Sequence, residues 1–372
     1  MNRPSVSILG STGSIGTQAL EVCAAHGFPV AALAARKSEE LLEQQVRRFR
    51  PGLVCVYDEG AYRSMKVRLA DLDVRLVTGM EGLCEAAALP EAGITLNAVV
   101  GMIGLQPTLA AIAAGKHVFC EKPLAMNARE AEEMVQAAKA AGVKLGCHYN
   151  RRQSPHVKML KQAVSQGLLG DVYAMNAKWM ARYTAFMFSP DSAWRIDKNK
   201  AGGGILIGRG SHMIDAALYI LGNPGGVSVK ANVANRLCGF SVDDYAMVML
   251  GLEGGSTLTV ECSYEAHLAD CADKLEYELF GTKAGACARE QDGNRRFVMG
   301  SCAFPENKWQ SLGDWKEEDF ADRYPSSIIA DFVDAVMNDR EPLVNGRAGA
   351  DVTAILDAAF RSAENGQREI LL

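Results

Sequence analysis

The chain has no Cys-x-x-Cys pair, although it holds ten cysteines in 372 residues. Cys23, Cys55, Cys84, Cys120, Cys147, Cys238, Cys262, Cys271, Cys287 and Cys302 are scattered, several of them among apolar strand residues. That pattern argues against a structural metal site and for buried, reduced thiols that pack as small hydrophobes. No apolar run approaches the roughly 18 residues that span a bilayer. Met1-Asn2-Arg3-Pro4 leads directly into a strand with no separate signal-peptide region, so a cytoplasmic protein without a membrane partner is expected. Positive charge is not in excess either, and a formal net charge of -5 offers no field for nucleic acid. Internal repeats and low-complexity segments are also missing. What remains is a chain 48% hydrophobic, long enough to bury the cores of two domains.

The N-terminal stretch is the first informative one. Val6 to Leu9 reads as a short strand, Gly10-Ser11-Thr12-Gly13-Ser14-Ile15-Gly16 follows, and helical periodicity then runs through Ala19, Leu20, Val22 and Cys23. A strand, a glycine loop and a helix in that order make a dinucleotide-binding turn. Gly10 permits the tight turn, Gly13 lets backbone approach a pyrophosphate, Gly16 allows close helix packing, and the free N–H groups of the helix face the phosphates. Ser11, Thr12, Ser14 and Ile15 complete that loop. The next strand, Val30 to Ala34, does not end in the acid that accepts from a ribose 2′-hydroxyl; Arg36, Lys37 and Ser38 stand there instead. Two cations and a hydroxyl suit a 2′-phosphate, although a solvated helix start has the same composition. NADP(H) is expected ahead of NAD(H), which stays possible.

Apolar strands near Leu53 to Val56, Val74 to Val77, Leu96 to Val100, Val118 to Cys120 and Leu145 to Cys147 alternate with helical stretches. This predicts an α/β domain with a doubly wound parallel sheet of the Rossmann type. Asn127 to Ala141 reads as a helix with Asn127 as its N-cap and Gly142 just past its end. From Val172 the strands lengthen and alternate with period two, as in Val172 to Ala181, Val227 to Ala234, Ala246 to Leu252, Ser256 to Ser263 and Leu275 to Phe280. A second, α+β domain with an open, mainly antiparallel sheet is expected. The division expected is 1–148 for nucleotide binding, 149–347 for substrate and association, and 348–372 as a C-terminal helix and tail supporting both.

Gly115-Lys-His-Val-Phe-Cys-Glu121-Lys122-Pro123 places a lysine at the end of a short strand, and Pro123 holds the residue before it in extended or turn geometry. Taken alone, Lys122 also fits an ordinary surface lysine. The segment resembles the Glu-Lys-Pro signature of the glucose-fructose oxidoreductase, inositol dehydrogenase and rhizopine-catabolism family, Gfo/Idh/MocA. The resemblance continues to the C-terminus through Ala201-Gly-Gly-Gly204, Gly210-Ser-His212-Met-Ile-Asp215 and Pro342. It implies that Lys122 lies beside a nicotinamide and helps bind or deprotonate the reacting hydroxyl, and that His212 is the acid–base residue. Glu121 and Gly101 join the cofactor-binding set. Tyr149-Asn150-Arg151-Arg152 resembles a family segment lining the cleft, and Arg209 and Asp215 flank the histidine. Trp194-Arg195 resembles a family Trp-Arg pair, facing the nicotinamide or substrate or else forming a hinge contact. The resemblance further implies a homo-oligomer, dimer or tetramer, associated through the open sheet; from the scattered cysteines, no metal is expected. One departure stands out: Gly208 occupies the place, four residues before the histidine, where the family commonly has an aspartate.

A second resemblance covers the first hundred or so residues. Ile8-Leu-Gly-Ser-Thr-Gly-Ser-Ile-Gly-Thr-Gln18 and residues 98–116 look like the NADPH domain of deoxyxylulose-phosphate reductoisomerase, which strengthens the NADP expectation. The reductoisomerase activity itself is not implied, because the Asn-Lys-Glu-Ser segment and the metal-binding Asp-x-Glu pair it needs are replaced by Cys120-Glu-Lys-Pro123 and Gly146-Cys-His-Tyr-Asn-Arg-Arg152. The expectation is an NAD(P)-dependent oxidoreductase moving hydride between nicotinamide and a carbinol carbon of a sugar, polyol or glycoside. Two others stay open: a redox epimerase or glycoside-eliminating enzyme that retains its cofactor, and a non-catalytic NADP(H)-sensing protein.

Overall fold

The computed structural model describes residues 3–99, 103–181, 193–237, 239–264, 268, 273–291, 294–303, 308–311 and 327–372. The chain packs as two units, 1–148 with 327–350 and 149–326 with 351–372. In the first, β1 (Ser5–Leu9), α1 (Ser14–His26), β2 (Val30–Ala35), α2 (Glu39–Phe49), β3 (Leu53–Val56), α3 (Glu59–Arg68) and β4 (Arg75–Thr78) are followed by α4 (Gly79–Ala87), β5 (Ala92–Asn97), α5 (Leu105–Ala113), β6 (His117–Cys120), α6 (Ala128–Ala141) and β7 (Leu145–Cys147). The seven strands run parallel in the order β4-β3-β2-β1-β5-β6-β7. The order reverses between β1 and β5, and ligand crevices of open parallel sheets form at such a switch point. Strands covered on both faces read as continuous apolar runs. In β3 all four residues are buried.

Local signals set the helix ends as expected. The Asn127 side chain accepts from the Glu130 backbone N–H at 3.0 Å, and Gly142 closes α6 at φ 65°. At α3 the Asp58 carboxylate caps Gly60 and Ala61. The strand expected at Leu96 to Val100 instead spans Ala92 to Asn97. Among the described residues no helix is long and apolar enough to cross a membrane.

The second unit begins with a 3₁₀ turn (Asn150–Gln153) and α7 (Pro155–Ser165), then β8 (Val172–Met180), a further 3₁₀ turn (Ala193–Ile196) and α8 (Lys198–Ala201). A π-helical turn (Leu206–Gly210) runs straight into α9 (Ser211–Leu221). Next come β9 (Gly226–Ala234), β10 (Tyr245–Leu252), β11 (Thr257–Ser263), β12 (Lys274–Gly281), β13 (Gly285–Gln291), β14 (Asn294–Ala303) and β15 (Lys308–Ser311). These, with the C-terminal β16 (Ile370–Leu371), form a sheet of order β15-β14-β13-β12-β8-β11-β10-β9-β16. Neighbours are antiparallel except β8 and β11, which are parallel. Alternation sets its inner face: Ala246, Val248, Leu250 and Leu252 of β10 are buried, while Met247 and Met249 are exposed. Tyr277 of β12, fully buried, donates its hydroxyl to the Met213 sulfur of α9 at 3.4 Å.

The C-terminal side divides differently from the expected boundaries. Residues 327–347, expected with the second domain, pack with the first unit, because α10 (Ile328–Met337) turns Phe332 onto Phe119 at 5.2 Å between ring centroids. Gly146 makes room for it, since a Cβ there would lie 2.5 Å from the Phe332 ring. Of α11 (Gly346–Glu364), the residues from Asp351 onward pack with the second unit. There Ser362 accepts from the Ala231 N–H of β9 at 3.0 Å.

Candidate active site

In the first unit the nucleotide turn is built as its glycines require. Gly10 has φ 81°, a region open to glycine, and a Cβ on it would meet the Ala98 carbonyl at 2.8 Å across the β1/β5 switch point. A Cβ on Gly16 would lie 2.3 Å from the Gly10 carbonyl, so α1 rises hard against the turn. Gly13 stands at the N-cap with no side-chain cap, and the first turn of α1 carries no acid. The uncapped N–H groups there fit a pyrophosphate. Thr12 and Ile15 are partly exposed and Ser14 is exposed. Ser11, expected in the cofactor-binding loop, forms an internal tie. It is fully buried, its backbone N–H donates to Ala34 and its hydroxyl to Gln45 Oε1 at 2.7 Å, so it has no donor left for a ligand.

At the end of β2, Arg36, Lys37 and Ser38 are all exposed. Lys37 pairs with Asp58 at 3.3 Å, which offsets one of the two cations, and Ser38 at the N-cap of α2 makes no capping hydrogen bond. Hydrogen bonds from the Ala61 backbone and from Lys37 hold the Asp58 carboxyl below its ordinary pKa. Lys122 is partly buried in the loop after β6, and its peptide bond to Pro123 is cis. Glu121 is half engaged already: its backbone donates to Asn97 at 2.8 Å, and its carboxylate meets His148 Nδ1 at 3.0 Å. Gly101 lies outside the described residues.

In the second unit the candidates converge on the helix from Leu206 to Leu221. The His212 ring stands edge-on to the fully buried Tyr149 at 5.8 Å and 90°. Arg152 and Asp215, both named as substrate candidates, form an internal anchor. Both are buried, and Arg152 donates from Nε and Nη2 to the Asp215 carboxylate at 2.7 to 3.1 Å while stacking on Tyr219. Burial pushes the Asp215 carboxyl up and Arg152 pulls it back. The pair ties the 3₁₀ turn carrying Asn150, which is exposed, to α9, and so holds Tyr149 against His212. Arg195 lies over Trp194 at 4.6 Å. Arg209 lies over Trp179 at 4.8 Å and Tyr264 at 5.6 Å, with burial lowering its pKa.

Sequence reasoning missed three residues here. Asp243 accepts from the Gly204 N–H at 2.6 Å and the Leu206 N–H at 2.8 Å, fixing the start of the helix; a Cβ on Gly204 would lie 2.0 Å from its carbonyl. His148 pairs with Glu121. Tyr264, just past β11, sets its hydroxyl beside Gly208, where an added Cβ would lie 2.3 Å from Oη. None has a local signal, because each partner is distant in sequence.

Comparison with known proteins gives two family matches. Residues 6–122 match the model of 1-deoxy-D-xylulose 5-phosphate reductoisomerase, and residues 157–287 match the GFO/IDH/MocA C-terminal domain. The reductoisomerase of Lachnoclostridium phytofermentans is 47% identical over 125 residues, 33% of this chain. The match spans only 32% of that relative, about a third of its length. D-glucoside 3-dehydrogenase of Escherichia coli is 27% identical over 277 residues, 70% of this chain and 74% of the relative. The fold is that of solved sugar-dehydrogenase structures: levoglucosan dehydrogenase in complex with NADH and levoglucosan superposes with a TM-score of 0.70 at 21% identity, over 100% of this chain and 99% of the other. The two units thus share the fold of those solved structures. More specifically, the chain joins a reductoisomerase-like nucleotide segment to a Gfo/Idh/MocA C-terminal domain.

Proposed function

We propose that the chain is an NAD(P)-dependent oxidoreductase that moves hydride between nicotinamide and a carbinol carbon of a sugar, polyol or glycoside. The observation that carries this is the coexistence, in one chain, of a built dinucleotide turn and a GFO/IDH/MocA C-terminal domain. The glucoside dehydrogenase match over 70% of the chain supports the substrate class. The bound cofactor supplies the hydride acceptor or donor. Gly10, Gly13 and the first N–H groups of α1 hold its pyrophosphate, and exposed Arg36 and Ser38 favour a 2′-phosphate, which makes NADP(H) the preferred form. Lys122 orients and polarises the reacting hydroxyl. His212 takes or returns its proton, a task suited to an imidazole whose ordinary pKa lies near working pH. Copies of the chain associate through the sheet face that bears Met247 and Met249, and sedimentation analysis tests this.

The catalytic assignment is tested with Lys122→Ala and His212→Asn on a panel of levoglucosan, methyl β-D-glucoside and L-sorbose, with both cofactors. Turnover should fall by about 10²-fold or more, as removal of general acid–base groups does, while NADP(H) affinity holds. Unmutated rates in both variants would overturn the assignment.

A further inference from the structure

Position 208 has no side chain, and the reason lies 56 residues on. Tyr264 leaves the end of β11 with its backbone N–H donated to Asp244 at 3.0 Å, and its hydroxyl reaches over to the Gly204 carbonyl at 3.4 Å. Its Oη fills the space a Cβ on Gly208 would need, 2.3 Å from that position. The fit is close because Gly208 itself is held in the helix, its N–H donating to Gly204 at 2.8 Å. Residues four apart on a helix are neighbours, and helical side chains lean back toward the preceding turn. Positions 208 and 212 therefore share one side of the helix, the side on which the Tyr264 hydroxyl meets Gly208. A π-turn at Leu206–Gly210 underlies this contact, and such turns gather at functional sites.

Three further facts bear on what that hydroxyl does. The bond to Gly204 is at the long end of hydrogen-bond geometry, so the phenol can turn its single proton to a nearer acceptor while its lone pairs stay available. Burial, with Asp243 nearby, pushes the phenol pKa up to about 12, and Arg209 and Arg195 only partly oppose this. The hydroxyl thus keeps its proton throughout the range where an imidazole titrates. Finally, Tyr264 is only partly buried, and Arg209, whose Nη1 finds no hydrogen-bond partner among the described residues, lies over its ring.

We propose that the Tyr264 hydroxyl stands in for the side chain that position 208 lacks, donating a hydrogen bond to the same substrate oxygen that His212 serves. This rests on the oxidoreductase reading above. Tyr264 keeps its proton during the reaction; it orients the oxygen and steadies its developing charge, and the proton itself moves through His212. Gly208 and Tyr264 then form an exchangeable pair in which one of the two positions carries the polar group.

The test compares the unmutated protein with Tyr264→Phe, Gly208→Asp and the double variant Gly208→Asp/Tyr264→Phe, using the same carbohydrate panel and the Lys122→Ala control. Tyr264→Phe should lower kcat about tenfold or more, leave NADP(H) affinity unchanged, and preserve the imidazole limb of the pH–rate profile. Gly208→Asp alone drives a Cβ into the hydroxyl and should be worse than the double variant, in which the carboxylate takes the vacated space and restores turnover. Recovery of turnover, and not only of melting temperature, separates a role in the reaction from space filling. Unchanged kcat and KM in Tyr264→Phe, or a double variant no more active than Gly208→Asp, would overturn the proposal while a dead Lys122→Ala keeps the oxidoreductase reading intact. Full activity in Lys122→Ala, or no turnover of any panel member by the unmutated protein, refutes that reading and the Tyr264 proposal with it.

Discussion

Asp215→Asn is the most informative single perturbation of the second unit, because it removes the charge but little volume from a buried pair. Arg152 donates to this carboxylate at 2.7, 3.1 and 3.1 Å, and both residues lie within the unit. Removing one partner leaves the guanidinium charge buried without its carboxylate, which costs about 3–5 kcal/mol. With a urea m-value of roughly 2–3 kcal/mol/M, the unfolding midpoint should fall by about 1–2 M. Trp179 and Trp194 lie in the second unit, so their fluorescence reports on it. The pair need not stabilise the unit relative to apolar residues of similar volume. Arg152→Met/Asp215→Leu should therefore recover most of the loss, since replacing both members of such a pair is often neutral. Nucleotide affinity, a property of the first unit, should not change in either variant. A midpoint for Asp215→Asn within about 0.3 M of the unmutated protein, an interval well inside the shift expected from the buried-pair cost, would refute the anchor.

Asp58→Asn keeps an N-cap on α3 but frees Lys37 from its carboxylate; the NADP(H)-to-NAD(H) affinity ratio from fluorescence titration should rise, whereas Arg36→Ala/Lys37→Ala should abolish any preference, and equal affinities for the two cofactors in the unmutated protein would dispose of the 2′-phosphate argument. Hydrogen bonds from Arg47 and Arg68 hold the Glu43 carboxyl below its ordinary value, and Arg47 does the same for Asp71. Folded pKa values below the unfolded ones add stability that is present above the ordinary carboxylate range and lost as pH falls through the lowered values; Arg47→Ala should flatten this acid limb in circular dichroism melts, and an unchanged limb tells against it. Gly16→Ala sets a methyl 2.3 Å from the Gly10 carbonyl, so calorimetry should show nucleotide binding lost while the tryptophan-reported transition stays in place.

What could be read from the sequence was local. The glycine turn, the Asn127 cap and the Gly142 stop each depend on residues within a few positions of one another, and their patterns carry the geometry directly. The period-two strands of the second unit were legible as far as β12, where alternation is clean; β13 and β14 carry runs such as Ala288-Arg-Glu-Gln291 and Asn294-Arg-Arg296, which hide it. Long-range pairing was not legible. Ser11 looks like a loop serine until Gln45, 34 positions away, takes its hydroxyl. Arg152 and Asp215 look like cleft residues until they meet across 63 positions. The parallel contact of β8 with β11 likewise has no mark in either strand.

The surroundings of His212 show what a phenol beside Gly208 does that the carboxylates described nearby do not. Asp215 is committed to Arg152. Asp243 gives both oxygens to backbone N–H groups at the start of the helical segment, where the helix dipole also favours a negative charge. Asp244 gives its two oxygens to the N–H groups of Arg236 and Leu237. Each holds scaffold, and each would leave buried donors unsatisfied if it turned toward a ligand, at a cost of about 1–3 kcal/mol per group. A carboxylate added at position 208 would face the Tyr264 hydroxyl at less than contact distance and would sit near the carboxylate of Asp243, which already couples electrostatically to that phenol. A neutral donor avoids both penalties. The arrangement trades a titratable acid for a hydroxyl whose pKa burial pushes up to about 12, so under the proposed role the variant Tyr264→Phe should lower kcat without adding or removing a carboxylate limb in the pH–rate profile.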